Sequence, residues 1–146
     1  MRAQRSTRDL AHLRADFERL VCIFGILYDA CNTGTCCCRL LVRGVGCVLV
    51  TLGADGCILC TKDGGAKHVK AVPVAKEAVV DTTGAGDAFT GAFAFFSAAG
   101  LSPAESAARA GKVAALTVQK QGTQPSYPTR ASVNEAHPDL FESPAL

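Results

Sequence analysis

The chain has 146 residues, a length that fits one domain with a buried core. Hydrophobic residues make up 49% of it and charged residues 19%, a balance typical of a globular protein and not of a disordered one. The 15 basic and 13 acidic residues leave a net charge of +2, which is too small and too evenly spread to indicate binding to nucleic acid or to an anionic membrane.

The cysteines and the longest apolar run bear on the compartment. All 8 cysteines precede residue 61, whereas a disulfide scaffold would distribute its bridges more widely. The apolar run at residues 21–28 is too short for a signal peptide and follows acidic residues. We therefore expect a reducing, cytoplasmic environment. The uncharged run from Ala88 to Ala104 is too rich in alanine and glycine for a membrane span, so we expect a buried helix and no membrane partner.

The first predicted element is an amphipathic helix over residues 6–20, where apolar residues repeat at helical spacing. His12 lies off that apolar stripe, which favours a solvated histidine. Residues 21–39 show no pattern that predicts an element. Residues 1–40 are therefore treated as an unassigned N-terminal segment.

A strand and a hairpin are predicted next. The apolar run Cys47–Leu52 stands between glycines and suits a strand covered on both faces. Residues 57–74 look like a hairpin with Pro73 at its edge, and His68 is then a surface residue. Strands followed by helices indicate an α/β architecture with a mainly parallel sheet.

Two helices follow the hairpin. The first begins in the segment D-T-T-G-A-G-D at residues 81–87, is apolar on nearly every side, ends at Gly100 and must be buried against the sheet. The second begins with a capping box of Ser102 and Glu105 and runs to about residue 119. Residues 122–128 form a rigid loop, and the polar tail over 129–146 is expected to be weakly ordered.

Asp87 stands at the mouth of the apolar helix, and two interpretations are open. An acidic residue in a first turn complements the helix dipole. Alternatively, the backbone N–H groups from Gly84 to Asp87 cradle an anion in a sheltered spot, and Asp87 is a general base in phosphoryl transfer. The flanking glycines favour the second interpretation, because a cap needs none. No Walker A string occurs, and a Rossmann G-x-G-x-x-G motif would need glycine in place of Phe89.

The string D-T-T-G-A-G-D-A-F-T-G-A resembles the C-terminal signature of the ribokinase-like sugar kinases, the carbohydrate kinase family with phosphofructokinase B. V-T-L-G-A-D-G before it and V-Q-K-Q-G-T-Q-P-S-Y-P after it support the resemblance, which covers residues 41–128. It implies a three-layer, Rossmann-like α/β sheet with flanking helices, as an incomplete domain, because the family's sugar-binding half has no counterpart here. It also implies transfer of the ATP γ-phosphoryl to a pentose, D-ribose to ribose 5-phosphate, with Mg²⁺ and K⁺ as cofactors, and a homodimer in the complete fold.

The resemblance assigns roles to individual residues. It implies that Asp87 is the catalytic base and contacts the sugar, and that the anion hole comprises Gly84, Ala85 and Gly86. The implied ATP-binding residues are Thr51, Leu52, Gly53, Ala54, Asp55, Gly56, Gly86 and Gly111, the last standing where the family often has asparagine or histidine near the adenine. The residues implied to supply oxygens to K⁺ are Asp81, Thr83, Thr117, Lys120, Gly122 and Ser126. The N-x-x-E motif associated with magnesium is absent.

Two alternatives stay open. Because the sugar-binding half is missing, the chain can also be read as a truncated, catalytically inactive nucleotide-binding remnant or an interaction protein. The C-x-x-C spacing of Cys57 and Cys60, with partners among residues 36–38, suggests a zinc site. Residues three apart on a strand point to opposite faces, which argues against that site.

Overall fold

The structure, a computed structural model, describes residues 20–24 (backbone only), 37, 39–62 and 65–142. Four strands form one sheet in sequence order: β1 (Leu20–Phe24), β2 (Cys47–Thr51), β3 (Cys57–Thr61) and β4 (Gly65–Val69). Only β1 and β2 pair in parallel, and the other two pairings among these strands are antiparallel. The expectation of a mainly parallel sheet is therefore wrong for the described residues. Short connections reverse the chain from β2 to β4, whereas parallel pairing needs a long crossover.

Strand β2 is covered on both faces, as its continuous apolar run predicts. Leu49 packs with buried residues of the helices, while Val48 and Val50 pack on the opposite face with Cys37. Residues 39–42 are helical and add their leucines to that second cluster. The sheet thus has helices on both sides, which gives the predicted three-layer α/β arrangement.

Helices α1 (Ala85–Ala98) and α2 (Pro103–Thr117) pack against each other. At the end of α1, the Gly100 N–H donates to the Ser97 carbonyl and the Leu101 N–H donates to the Phe96 carbonyl, which is the pattern of a Schellman motif. At the start of α2, Ser102 and Glu105 form the predicted capping box, with Pro103 in the first position. These terminal interactions define both helices within two residues of the predicted bounds.

One face of α1 is buried and the other is exposed. Phe89, Phe93 and Phe96 repeat at helical spacing and are buried against the sheet and α2. Gly91 and Phe95 face outward, and the Phe95 side chain is 48% exposed. The expectation that α1 is buried nearly all round is therefore wrong in this structure, because one side of the helix has no covering element among the described residues.

Residues 130–141 fold into a helix and a turn, which corrects the expectation of a weakly ordered polar tail for that part of the chain. Helix α3 (Arg130–Ala136) is followed by a 3₁₀ turn over Pro138–Phe141. Val133 and Leu140 are buried against Phe96 of α1. Because these two residues are spaced to reach one apolar patch, a segment that is polar overall still docks on the helix pair.

Several sequence predictions concern the periphery. The helix over residues 6–20 and His12 lie outside the described residues, except that Leu20 begins β1. The predicted hairpin exists as β3 and β4 but ends at Val69, so Pro73 lies beyond it in extended chain. Within the described ranges, no helix has both the length and the hydropathy that a membrane span requires.

Candidate active site

The N-terminus of α1 presents unpaired backbone N–H groups. Gly84 precedes the helix and no side chain caps it. Among the described residues, no hydrogen-bond acceptor meets the N–H of Gly84, Gly86 or Asp87. The N–H of Ala85 does bond, to the Thr82 carbonyl at 3.3 Å. Three of the four amides predicted to cradle an anion are thus available at the positive end of the helix dipole.

Gly84 is required by the shape of this loop. Its φ of 82° lies in the left-handed region, which residues with a Cβ rarely adopt. A Cβ at this position would come within 3.1 Å of the Thr123 Cα and 3.2 Å of the Tyr127 ring. The loop over residues 122–127 therefore packs directly against the backbone of the predicted anion hole.

Asp81 connects the same two loops. One of its carboxylate oxygens accepts a hydrogen bond from the Thr83 N–H at 2.8 Å, and the other accepts one from the Gly122 N–H at 2.9 Å. The Asp81 N–H donates in turn to the Val118 carbonyl at 3.2 Å. Hydrogen bonds from the Thr83 hydroxyl, the Thr83 N–H and the Gly122 N–H lower the pKa of Asp81 below its ordinary value. Asp81 is thereby held as a carboxylate that joins the start of the α1 loop to the end of α2.

The six residues predicted to bind K⁺ lie on these two loops and at the end of α2. Asp81 bonds directly to Thr83 and Gly122, and the Lys120 N–H donates to the Thr117 carbonyl at 3.2 Å. Two of the hydroxyl groups donate hydrogen bonds to the backbone. The Thr117 hydroxyl donates to the Val113 carbonyl at 3.1 Å, and the Ser126 hydroxyl donates to the Thr123 carbonyl at 2.5 Å. The binding of K⁺ by these six residues stays a prediction.

A cavity of about 480 Å³ lies beside the N-terminus of α1. Its volume falls in the ordinary range for a small-molecule site, about 300–1,000 Å³. Six of the eight predicted ATP-binding residues line it: Thr51, Gly53, Ala54, Gly56, Gly86 and Gly111. Leu52 and Asp55 do not line it: Leu52 packs with Val48 and Val50 on the other face of the sheet, and Asp55 is exposed. The structure therefore brings a loop, a helix start and a helix interior together around one cavity.

The sequence interpretation missed one wall of this cavity. Residues 69–74, taken there as the second half of an exposed hairpin, line the cavity. The segment crosses tightly over Gly56, where a Cβ would come within 2.1 Å of the Val69 carbonyl oxygen. The proline at position 73 was the signal, because proline interrupts a strand and favours an extended segment.

The loop between β2 and β3 is held from outside by His68. A 3₁₀ turn spans Gly53–Asp55, and the Leu52 N–H donates to the Gly56 carbonyl at 2.7 Å. The His68 Nε2 lies 2.7 Å from the Asp55 carbonyl oxygen. His68 was predicted to be a surface residue, and it is exposed, but it also fixes the loop that lines the cavity.

Asp87 lies outside the cavity and is exposed. The preceding residues of α1, Ala85 and Gly86, are half-buried and line the cavity. The assignment of Asp87 as the catalytic base stays a prediction.

The two cysteines of the C-x-x-C string lie on opposite faces of the sheet, as the strand geometry predicts. Cys57 packs with Leu49 and the helices, whereas Cys60 packs with Cys37. They cannot ligate one tetrahedral ion together. Within the described part of the chain, no group of three or more metal-ligating side chains is present. The proposed partners Cys36 and Cys38 lie outside the described residues.

A family model described as pfkB family carbohydrate kinase matches residues 35–130, which is more than half of the chain. The chain belongs to the pfkB family of carbohydrate kinases. The match includes the loop between β2 and β3, Asp81 and the start of α1, so the resemblance read from the sequence is confirmed. The sequence is also similar to the ribokinase of Mus musculus, at 44% identity over 103 residues. These residues are 68% of this chain and 31% of the mouse protein.

Solved structures of pfkB kinases share the fold. The chain superposes on the ribokinase of Thermotoga maritima with a TM-score of 0.70 and 30% identity, covering 80% of this chain and 41% of that one. For the Arabidopsis thaliana ribokinase complexed with ribose and ATP, the TM-score is 0.67 and the identity 36%, covering 79% and 35%. This pfkB chain therefore has a ribokinase-like α/β fold and spans less than half of the length of these relatives.

Proposed function

We propose that this chain forms the nucleotide-binding and phosphoryl-transfer part of an ATP-dependent sugar kinase that converts D-ribose to ribose 5-phosphate. The observation that carries the proposal is the position of the unpaired amides of Gly84, Gly86 and Asp87. Of these three residues, Gly86 lines the cavity, together with most of the other residues predicted to bind ATP. The Arabidopsis relative whose structure contains ribose and ATP supports the choice of substrates.

In the proposed mechanism the nucleotide occupies the cavity and its terminal phosphate reaches the start of α1. Asp87 accepts the proton of the sugar hydroxyl, whose oxygen forms a bond to the γ-phosphorus while the bond to the β-phosphate oxygen breaks and ADP leaves. The free amides donate to the phosphoryl oxygens, where charge is concentrated during transfer. Because Gly86 lines the cavity and Asp87 follows it directly in α1, the nucleotide and the sugar hydroxyl meet at the start of this helix.

Two cations belong to the proposal. Mg²⁺ accompanies the ATP phosphates and neutralises their charge, and we assign no side chain of the described residues to it. K⁺ is assigned to the loops around Asp81, where it would add positive charge behind the amide cradle. The Asp81 carboxylate already accepts hydrogen bonds from Thr83 and Gly122. In this proposal Asp81 therefore positions the loops, and carbonyl oxygens supply most of the ligands.

We also propose a cellular compartment, a class of partner and an oligomeric state. The distribution of cysteines supports a cytoplasmic protein. The small net charge of +2 supports a small-molecule substrate and no nucleic-acid or membrane partner. A homodimer is proposed from the family resemblance alone.

A second candidate is a nucleotide-binding protein without turnover. One observation favours it: Asp87 is exposed and does not line the cavity. This candidate predicts the same occupant of the cavity but no transfer to a sugar, so the two proposals differ in a measurable step.

The purified chain should be assayed for ADP formation from MgATP with and without D-ribose and with K⁺ or Na⁺. The kinase proposal predicts ribose-dependent turnover that falls at least about 10²-fold in Asp87→Asn, the scale of a lost general base. Asp139→Asn is the matched control, because Asp139 is also an exposed aspartate in the first turn of a helix but lies in the C-terminal segment. Calorimetric titration with ADP measures binding in each variant.

The outcomes separate the candidates. Ribose-dependent turnover that is lost only in Asp87→Asn supports the kinase. ADP binding without turnover in the unsubstituted chain supports the second candidate. Absence of ADP binding contradicts both proposals, since each places a nucleotide in the cavity.

A further inference from the structure

The α2 side of the cavity is formed by small apolar residues. They repeat at helical spacing and therefore share one face: Ala107, Gly111, Ala114 and Ala115, followed by Val118 just after the helix. None of them carries a side-chain hydrogen-bond donor or acceptor. A flat ligand placed against this face meets only hydrocarbon.

A second part of the lining has the same character. It comprises Val72, Pro73 and Val74, and none of these residues has a polar side chain. Polar side chains among the lining residues belong to Thr51, Lys70 and Thr82. Thr51 adjoins the loop between β2 and β3, and Thr82 adjoins the free amides at the start of α1. The Lys70 backbone lies against Gly56. The parts of the lining that α2 and residues 72–74 contribute are therefore apolar.

Gly111 leaves this apolar space open. It lies in the interior of α2, where glycine is a poorer helix former than any residue except proline. A Cβ built there would meet no atom within 4 Å, so nothing in the packing of the chain requires a glycine. The missing side chain widens the cavity at Gly111, the position that the family resemblance places near the nucleotide base.

We infer that this chain binds purine nucleotides without selecting among their bases, so that GTP and ITP serve as phosphoryl donors beside ATP. The inference rests on the proposed function and specifies its nucleotide substrate. Two purines differ in the hydrogen-bonding groups on their edges, and a protein distinguishes them strongly only with fixed donors and acceptors. Apolar walls hold the ring by its faces, which all purines share.

The test is calorimetric titration of the full chain with MgADP, MgGDP and MgIDP. We expect dissociation constants within about tenfold of one another, the scale of discrimination that an apolar pocket provides. In Gly111→Asn the new amide points into the cavity and can bind adenine in a bidentate manner, so the ratio of ADP to GDP affinity should rise about tenfold. Asparagine is a better helix former than glycine, so the variant is expected to fold.

Gly91→Asn is the matched control. Gly91 also lies in a helix interior with no atom within 4 Å of a built Cβ, but it is exposed on α1 and does not line the cavity. The Gly91→Asn substitution should leave the ratio of ADP to GDP affinity unchanged. If the unsubstituted chain prefers ADP over GDP by more than about tenfold, main-chain groups read the base and the inference is wrong while the kinase proposal stands. If Gly111→Asn and Gly91→Asn leave the same ratio, the base does not lie against Gly111, which also overturns the inference. If no nucleotide binds, the proposed function fails with it.

Discussion

Replacing Gly84 by alanine tests whether the loop before α1 depends on a residue without a Cβ. Gly84 has a φ of 82°, and forcing a residue with a side chain into this region costs about 1–3 kcal/mol. The new Cβ would also lie 3.1 Å from the Thr123 Cα and 3.2 Å from the Tyr127 ring, so the two loops must separate slightly. We expect Gly84→Ala to lower the free energy of unfolding by about 1–3 kcal/mol.

Gly91→Ala is the comparison, because the two positions differ in backbone conformation. Gly91 lies inside α1 and a Cβ there meets no atom within 4 Å. Alanine is the better helix former, so Gly91→Ala should raise the free energy of unfolding by about 0.5–1 kcal/mol. The same chemical substitution is therefore expected to change stability in opposite directions.

Chemical denaturation with urea, followed by circular dichroism, measures both differences, and a thermal scan should show shifts of about 2–4 °C per kcal/mol. Titration with MgADP adds a functional readout, since displacement of the Gly84 amide weakens the cradle while Gly91→Ala leaves it intact. A Gly84→Ala protein that is as stable as Gly91→Ala would show that the left-handed turn does not exist, and the reasoning about the cradle would fail with it.

Two further predictions concern residues around the site. His68→Ala should weaken MgADP binding about 2- to 10-fold, the value of one hydrogen bond to the Asp55 carbonyl; His68→Gln keeps a donor and should restore part of it, and an equal loss in the exposed neighbour Lys67→Ala would contradict this reasoning. Hydrogen bonds from the Ser102 hydroxyl and N–H lower the pKa of Glu105, so its capping contribution is complete above about pH 4.3 and is lost as the pH falls through the depressed pKa. The melting temperature of Glu105→Ala should therefore lie below that of the unsubstituted chain at pH 6 and approach it near pH 3, and a difference that is independent of pH would refute the assignment.

Features that depend on neighbours along the chain were predictable from the sequence. The capping box at Ser102 and Glu105 and the helix end at Gly100 are local hydrogen-bond patterns, so the residues involved specify them wherever the helix packs. The run Cys47–Leu52 is apolar at every position, which requires cover on both faces of β2. The signature at residues 81–87 identified the family for the same reason, since it is a contiguous string.

Features that depend on partners distant in the sequence were decided by the tertiary structure. The direction of strand pairing, the burial of Val133 and Leu140, and the exposure of Asp87 follow from which elements meet, and no local pattern contains that information. Residues 69–74 alternate like an edge strand, yet they form a wall of the cavity because the backbone passes over Gly56. The sequence by itself thus determined strand β2, helices α1 and α2 and the family. The packing of distant segments determined which residues surround the cavity, because burial and contact are properties of pairs of segments and not of either one alone.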